Sequence, residues 1–158
     1  MASKNLLRLP LEYPPMSPAT DDAHTFQNFH KVMIPPERLF AAWVDPGLMK
    51  TWLLKTGTNE ISRVETEPRV GGTFRILEIT EDGERIEHVG EYLEVNRPKR
   101  LMFRLEAPRR FGGTSVVSVD IAAGGEGSWM GFVQTGVEKK SSEAAWRDMF
   151  RRMEDALA

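Results

Sequence analysis

The residues of this 158-residue chain best suited to moving a proton or ligating a metal near neutral pH are its three histidines, His24, His30 and His88. None stands in an HExxH or comparable spacing, so a metal site would have to be assembled from separate segments with carboxylate help. Neither a metal nor any other cofactor is expected. The chain has no cysteine, which removes thiolate nucleophiles, cysteine metal sites and disulfides together. No serine lies in a GxSxG turn, leaving acyl-enzyme chemistry without a nucleophile. Gly71-Gly72 is followed by neither a P-loop pattern nor GxGxxG, and a strand comes next, so the pair is read as a turn and not as a phosphate cradle. Arg69, flanked by Glu65 and Glu67, is read as half of an ion pair at a sheet edge. No catalytic residue is assigned. His30 and His88 are placed facing the interior, either as hydrogen-bonded core residues or as polar groups that orient a ligand.

Length and an apolar share of 41% suit one domain with one core. A net charge of -2 carries no electrostatic footprint for a phosphate backbone, so nucleic acid is not an expected partner. The N-terminus lacks the charged start and apolar stretch of a signal peptide, and no window approaches the ~18 apolar residues of a membrane span. A soluble, cytoplasmic protein with no membrane partner is the expectation.

The elements that must hold these residues follow from periodicity. Residues 1 to 22 contain Pro10, Pro14, Pro15 and Pro18 and no regular period, which reads as an extended or disordered arm ahead of a domain over 23 to 158. Leu6, Leu7, Leu9, Leu11 and Tyr13 leave open that the arm docks on the domain or on a second subunit. Alternation of Phe26, Asn28, His30, Val32 and Ile34 predicts a strand, and Pro35-Pro36 ends it. A short helix then buries Leu39, Phe40 and Trp43, and Asp45 caps a second, with Pro46 at its first position, running to about Trp52. Six strands are predicted at 59 to 66, 72 to 80, 85 to 95, 100 to 106, 114 to 122 and 128 to 135, with connections short enough to make neighbours antiparallel. Their inward residues are Phe74 and Ile76; Leu101, Phe103 and Leu105; Val117, Val119 and Ile121; Met130, Phe132 and Gln134. Trp146, Met149, Phe150, Met153 and Leu157 recur at helical spacing behind a Ser141-Ser142 cap candidate. A bent sheet gripping one long helix leaves space where the two diverge. Met49, Trp52, Met130, Phe132, Trp146, Met149, Phe150 and Met153 either fill that space as core or line it as a permissive pocket.

The segments PPERLFAAWVDPGLMKTW, EPRVGGTFRI, DGERIEHVGEYLEVNRPKRLMF, GSWMGFVQTG and AAWRDMFRRM, in that order, make residues 26 to 157 resemble the START/SRPBCC superfamily of birch-pollen-allergen-like, helix-grip domains. Within it they resemble the activator of heat-shock-protein-90 ATPase homologue group. The resemblance implies an α+β fold: a seven-stranded curved antiparallel sheet, two short helices and a long C-terminal helix enclosing an apolar pocket. Two positions depart from the pattern. Gln134 stands where many relatives carry histidine, which removes a possible pocket base, and Ala145 stands before the helix tryptophan in place of glycine, which narrows the pocket wall slightly.

On this fold the expected function is binding of a small, largely hydrophobic ligand. His30, Trp52, Phe74, Ile76, His88, Tyr92, Phe103, Met130, Phe132, Gln134, Trp146, Met149 and Phe150 form the candidate pocket, and His30, His88, Tyr92 and Gln134 supply its polar groups. The resemblance implies a different class of function as the alternative, a co-chaperone-like module that binds a heat-shock ATPase. Only 22 residues precede the domain, so the further domain that eukaryotic activators carry upstream is not expected. A polyketide cyclase or hydrolase, as found elsewhere in the superfamily, is a second alternative. The protein is expected as a monomer or homodimer.

Overall fold

A computed structural model describes residues 22–158. The arm expected over 1 to 22 therefore lies, except for Asp22, outside the described residues. A single 3-10 turn, Asp22–His24, leads into β1 (Thr25–Val32). There follow α1 (Pro36–Val44), α2 (Pro46–Met49), β2 (Glu60–Thr66), β3 (Thr73–Ile79), β4 (Arg85–Asn96), β5 (Arg100–Ala107), β6 (Gly113–Gly124), β7 (Gly127–Thr135) and α3 (Lys139–Leu157).

The strands form one seven-stranded sheet in the order β1-β7-β6-β5-β4-β3-β2. Every pairing is antiparallel, as short connections dictate. Strands β2 to β7 thus follow one another as a meander, and β1 closes onto the last of them. The register shifts between Ile61 and Arg63 and between Tyr92 and Glu94. Such irregularities bend strands and raise local twist, which helps the sheet to curl around the helix.

The inner face follows the period-two alternation. Phe74, Ile76, Leu101, Phe103, Leu105, Val117, Val119, Ile121, Met130, Phe132 and Gln134 are all buried. The outer face carries charge, as in Arg100, which donates from Nη1 to both carboxylate oxygens of Asp120 at 2.9 and 2.7 Å. Arg69 lies 3.8 Å from Glu67 in an exposed pair, as expected of that edge position.

Helix α1 starts at a proline, whose fixed φ and missing N–H suit the first turn, and buries Leu39, Phe40 and Trp43. Asp45 Oδ1 accepts from Gly47 N and Leu48 N, capping α2. Helix α2 ends at Met49, and Trp52 follows it in a turn. Helix α3 is capped by Glu138, not by the serine pair: its carboxylate accepts from Ser141 N at 2.9 Å and Lys140 N at 3.4 Å. A carboxylate there also meets the positive end of the helix, and it frees Ser142 for another task. Trp146, Met149, Phe150, Met153 and Leu157 turn inward as the spacing predicts. No helix among the described residues is long and apolar enough to cross a membrane.

Candidate functional site

Strands β3 and β4 set the polar part of the interior. Their register pairs Phe74 with Gly90 and Ile76 with His88. Alternation from Phe74 and Ile76 also turns Glu78 inward, and this carboxylate is 4% exposed. Burial alone would make it costly, so it is surrounded by donors. His88 Nε2 lies 2.9 Å from Glu78 Oε1, and Asn59 Nδ2 and Arg110 Nη2 donate to Oε2 at 2.7 and 2.9 Å. Asn59 Nδ2 and Arg110 Nη2 also reach Leu54 O, at 2.8 and 3.2 Å. One carboxylate thus ties β3 and β4 to the segment before β2 and to the β5–β6 turn.

Burial pushes the Glu78 carboxyl up, but hydrogen bonds from Asn59 and His88 and the Arg110 charge outweigh it and hold the group below its ordinary value. Burial lowers His88, against the opposing pull of Glu78. The pair is therefore a carboxylate and a neutral imidazole near neutrality. A carboxylate only accepts, so Nε2 carries the imidazole proton and Nδ1 carries the lone pair. His88 Nδ1 is buried and has no hydrogen-bond partner.

Tyr92, two residues beyond Gly90 on the same face, is fully buried, and its hydroxyl also lacks a partner. Burial raises its pKa far above the ordinary value. Its ring lies 5.4 Å from that of Phe74, which meets Phe103 edge-on at 5.2 Å. Phe103 in turn lies 6.1 Å from Trp43, whose Nε1 is the third buried polar side-chain atom without a partner among the described residues.

Beneath α3 the rings pack on one another. Trp43 and Trp52 meet edge-on at 4.8 Å, Phe132 and Trp146 lie 4.5 Å apart, and Phe150 contacts both of these. Trp52 Nε1 donates to Ala42 O, and Trp146 Nε1 donates to Gln134 Oε1 at 2.7 Å. Gln134 Oε1 also accepts from Ser142, and its Nε2 donates to Ser115 Oγ. Its amide joins β7 to β6 and to the first turn of α3. Met149 Sδ accepts from Leu54 N, and Met130 and Ile76 are fully buried.

Two clefts lie on the surface near this interior, among the described residues. One, of about 420 Å³, lies between the β5–β6 turn, the segment before α3 and the first turn of α3, and includes Arg110, Phe111, Val137, Ser142 and Ala145. Phe111 stacks on Trp146 at 5.4 Å with planes 10° apart, so the turn forms part of the roof over the ring cluster. Arg109 and Phe111 in this turn have φ of 68° and 56°. The other cleft, of about 360 Å³, runs between β1 and α3 and includes His30, Phe150 and Glu154. His30 Nδ1 lies 2.9 Å from Asn28 Oδ1, and Nε2 lies 3.8 Å from Glu154. Burial lowers His30 and raises Glu154, so the two do not form an ion pair near neutrality.

The thirteen residues named from the sequence thus divide. His88, Phe74, Ile76, Tyr92 and Phe103 gather on β3, β4 and β5; Trp52, Phe132, Trp146 and Phe150 form the ring cluster; Met130 and Met149 are buried in the core, on β7 and α3; Gln134 is engaged at the start of α3; His30 stands at the second cleft. None of them lines the first cleft, whose link to the interior runs through Arg110 and Glu78. Glu78, Asn59 and Arg110 were missed by sequence reasoning. The parity of β3 was a signal for Glu78; for the others there was none. Among the described residues no group of three or more His, Cys, Asp or Glu side chains could hold a metal ion.

A curved antiparallel sheet closed by a long C-terminal helix defines a helix-grip protein of the START/SRPBCC type. The chain belongs to the family described as Activator of Hsp90 ATPase homolog 1-like protein, whose model matches residues 33–158. The fold is similar to that of a Chromobacterium violaceum protein at 20% identity and a TM-score of 0.76, covering 85% of this chain and 96% of that one. An AHSA1-like protein from Aeromonas hydrophila is similar at 19% identity and a TM-score of 0.70, with 83% and 90% covered. A Plasmodium falciparum protein described as an HSP90 activator is similar at 19% identity and a TM-score of 0.62, with 85% and 96% covered. No curated protein matches the sequence.

Proposed function

We propose that the domain binds a small, largely hydrophobic ligand between the curved sheet and α3, admitted at the cleft under the β5–β6 turn. The observation that carries this reading is the trio of buried, unpartnered polar atoms, His88 Nδ1, Tyr92 Oη and Trp43 Nε1. Buried polar groups in folded proteins are satisfied in about nine cases of ten, and leaving one unsatisfied costs about 1–3 kcal/mol. A few such groups in an apolar lining are what orients a small molecule in a pocket. The left-handed backbone at Arg109 and Phe111 adds support, because such strain gathers at segments that move for function. Native mass spectrometry of the protein from its own host, followed by denaturing extraction, tests the reading. A stoichiometric apolar small molecule supports it; a clean mass together with no uptake of apolar probes removes it.

The family and the Plasmodium falciparum neighbour support a second reading, a co-chaperone-like module acting on a heat-shock ATPase. The test is the ATPase rate of the host's Hsp90-type protein with and without this chain. An unchanged rate, with no complex retained on a column, removes that reading.

A further inference from the structure

We infer that His88 sets ligand specificity by accepting a hydrogen bond at Nδ1, and that it selects an apolar molecule carrying a neutral donor such as a phenolic or alcoholic hydroxyl. The inference rests on the interior being a ligand site, as proposed above.

The tautomer follows from geometry. Glu78 takes donors from three side chains, and His88 is one of them through Nε2. The proton is held there, so Nδ1 can only accept. A ligand with a donor satisfies it; a ligand with an acceptor alone leaves two lone pairs opposed in a low-dielectric site.

Charge excludes the other chemistries. Arg110, on the wall of the first cleft, is already paired with Glu78, and Arg109 beside it is paired with Glu84. The positive end of α3 is met by Glu138. An anionic ligand would find these cations engaged and would be desolvated close to the Glu78 carboxylate. A cationic one would meet the Arg110 guanidinium. A neutral donor pays neither penalty.

Position supplies the rest. Between His88 and Tyr92 the strand carries Gly90, and the Phe74 ring fills the place of its missing side chain. A ligand ring taking that slot in place of the Phe74 ring would be flanked by an acceptor at His88 Nδ1 and a hydroxyl at Tyr92. Four residues of strand separate the two, roughly 13 Å at the backbone, a span suited to a two-ring molecule.

The test uses three probes on one frame: 2-naphthol, 2-methoxynaphthalene and 2-naphthoate. Each is titrated into the ¹⁵N-labelled full chain while the imidazole nitrogens are observed by long-range ¹H–¹⁵N correlation. Expected are a neutral His88 protonated at Nε2, binding of 2-naphthol about tenfold tighter than the methoxy compound, the weakest binding for the naphthoate, and an Nδ1 resonance that moves with the naphthol. His88→Phe should bring naphthol down to the affinity of the methoxy compound; the Nδ1 resonance of the unaltered chain decides the matter if that variant does not fold. Equal binding of naphthol and methoxynaphthalene, tightest binding of the naphthoate, or a proton on Nδ1 overturns the assignment to His88 alone. Binding of none of the three overturns the ligand-site reading and this inference with it.

Discussion

The ring of Phe74 occupies the space in which residue 90 would place a side chain. A Cβ built on Gly90 falls 2.0 Å from two atoms of that ring, far inside van der Waals contact. Glycine here serves close approach of a ring to a strand, at a position where β3 and β4 are directly paired.

Gly90→Ala is accordingly expected to destabilise the fold by about 3 kcal/mol through overpacking. Combining it with Phe74→Leu should cost less than the sum of the two single changes, because the smaller side chain vacates the collision. Urea denaturation of the two single variants and the double variant measures the coupling; strict additivity would mean that the contact is relieved in some other way.

The carboxylate of Glu78 serves three donors from separate parts of the chain. Glu78→Leu removes the shared acceptor and leaves Arg110 as a half-buried charge without its partner, for an expected loss of about 3–5 kcal/mol. Glu78→Gln retains one acceptor and should lose clearly less. A reversal of that order in denaturation midpoints would show that the network contributes little.

Acid should unfold the protein in two stages. Burial holds His88 and His30 below their ordinary value of 6.5, so the unfolded chain binds protons more readily than the folded one. Their contribution is complete above about pH 6.5 and is lost as pH falls below it. Glu78 is held below its ordinary 4.5, so its contribution goes in the same direction, further down the scale. Melting temperature against pH is expected to decline from about 6.5 and again below about 4.5, and a His88→Phe variant should show a shallower first decline. A flat profile between pH 7 and 5 would contradict the burial of a neutral His88.

Gln134→Leu should cost about 3 kcal/mol, since Ser142, Trp146 and Ser115 all lose a partner in a buried place. The measurement is the midpoint of urea unfolding, with an unchanged slope marking a pure loss of stability. A near-neutral result would mean that the amide is dispensable and that this position is free for ligand contact.

Much of this architecture was legible before any coordinates. Period-two alternation placed Phe103, Val119 and Phe132 on the inner face because that face is buried and the outer face is wet. Helical spacing did the same for Trp146, Met149 and Phe150. The polar centre was harder. Glu78 follows Phe74 and Ile76 in strict alternation, yet a glutamate on a strand reads as solvated until its donors are known, and those come from Asn59 and Arg110, far along the chain. Arg110 reaches it only through a turn with left-handed backbone at Arg109 and Phe111, which no proline or glycine at those two positions announces. The Ser141-Ser142 cap failed for a local reason: the helix begins earlier, at Lys139, where Glu138 accepts from the Lys140 and Ser141 amides, and Ser142, inside the first turn, is drawn instead to Gln134. Whether rings fill a hollow or line it depends on packing finer than any period.

The pairing of β1 with β7 has a consequence for how the chain reaches this state. Thr25 faces Thr135 across a ladder that spans nearly the whole domain in sequence, while each other pair of neighbouring strands is joined by a local connection. During synthesis the meander can assemble hairpin by hairpin, but the first strand must wait for the last. Until then its apolar residues, Phe26 and Val32 among them, have no ladder to join, and the exposed edge of β7 is open to the β1 of another chain. Loop closure of that length is slow compared with hairpin formation, so pairing β1 with β7 is the step at which this fold is most open to strand exchange between copies.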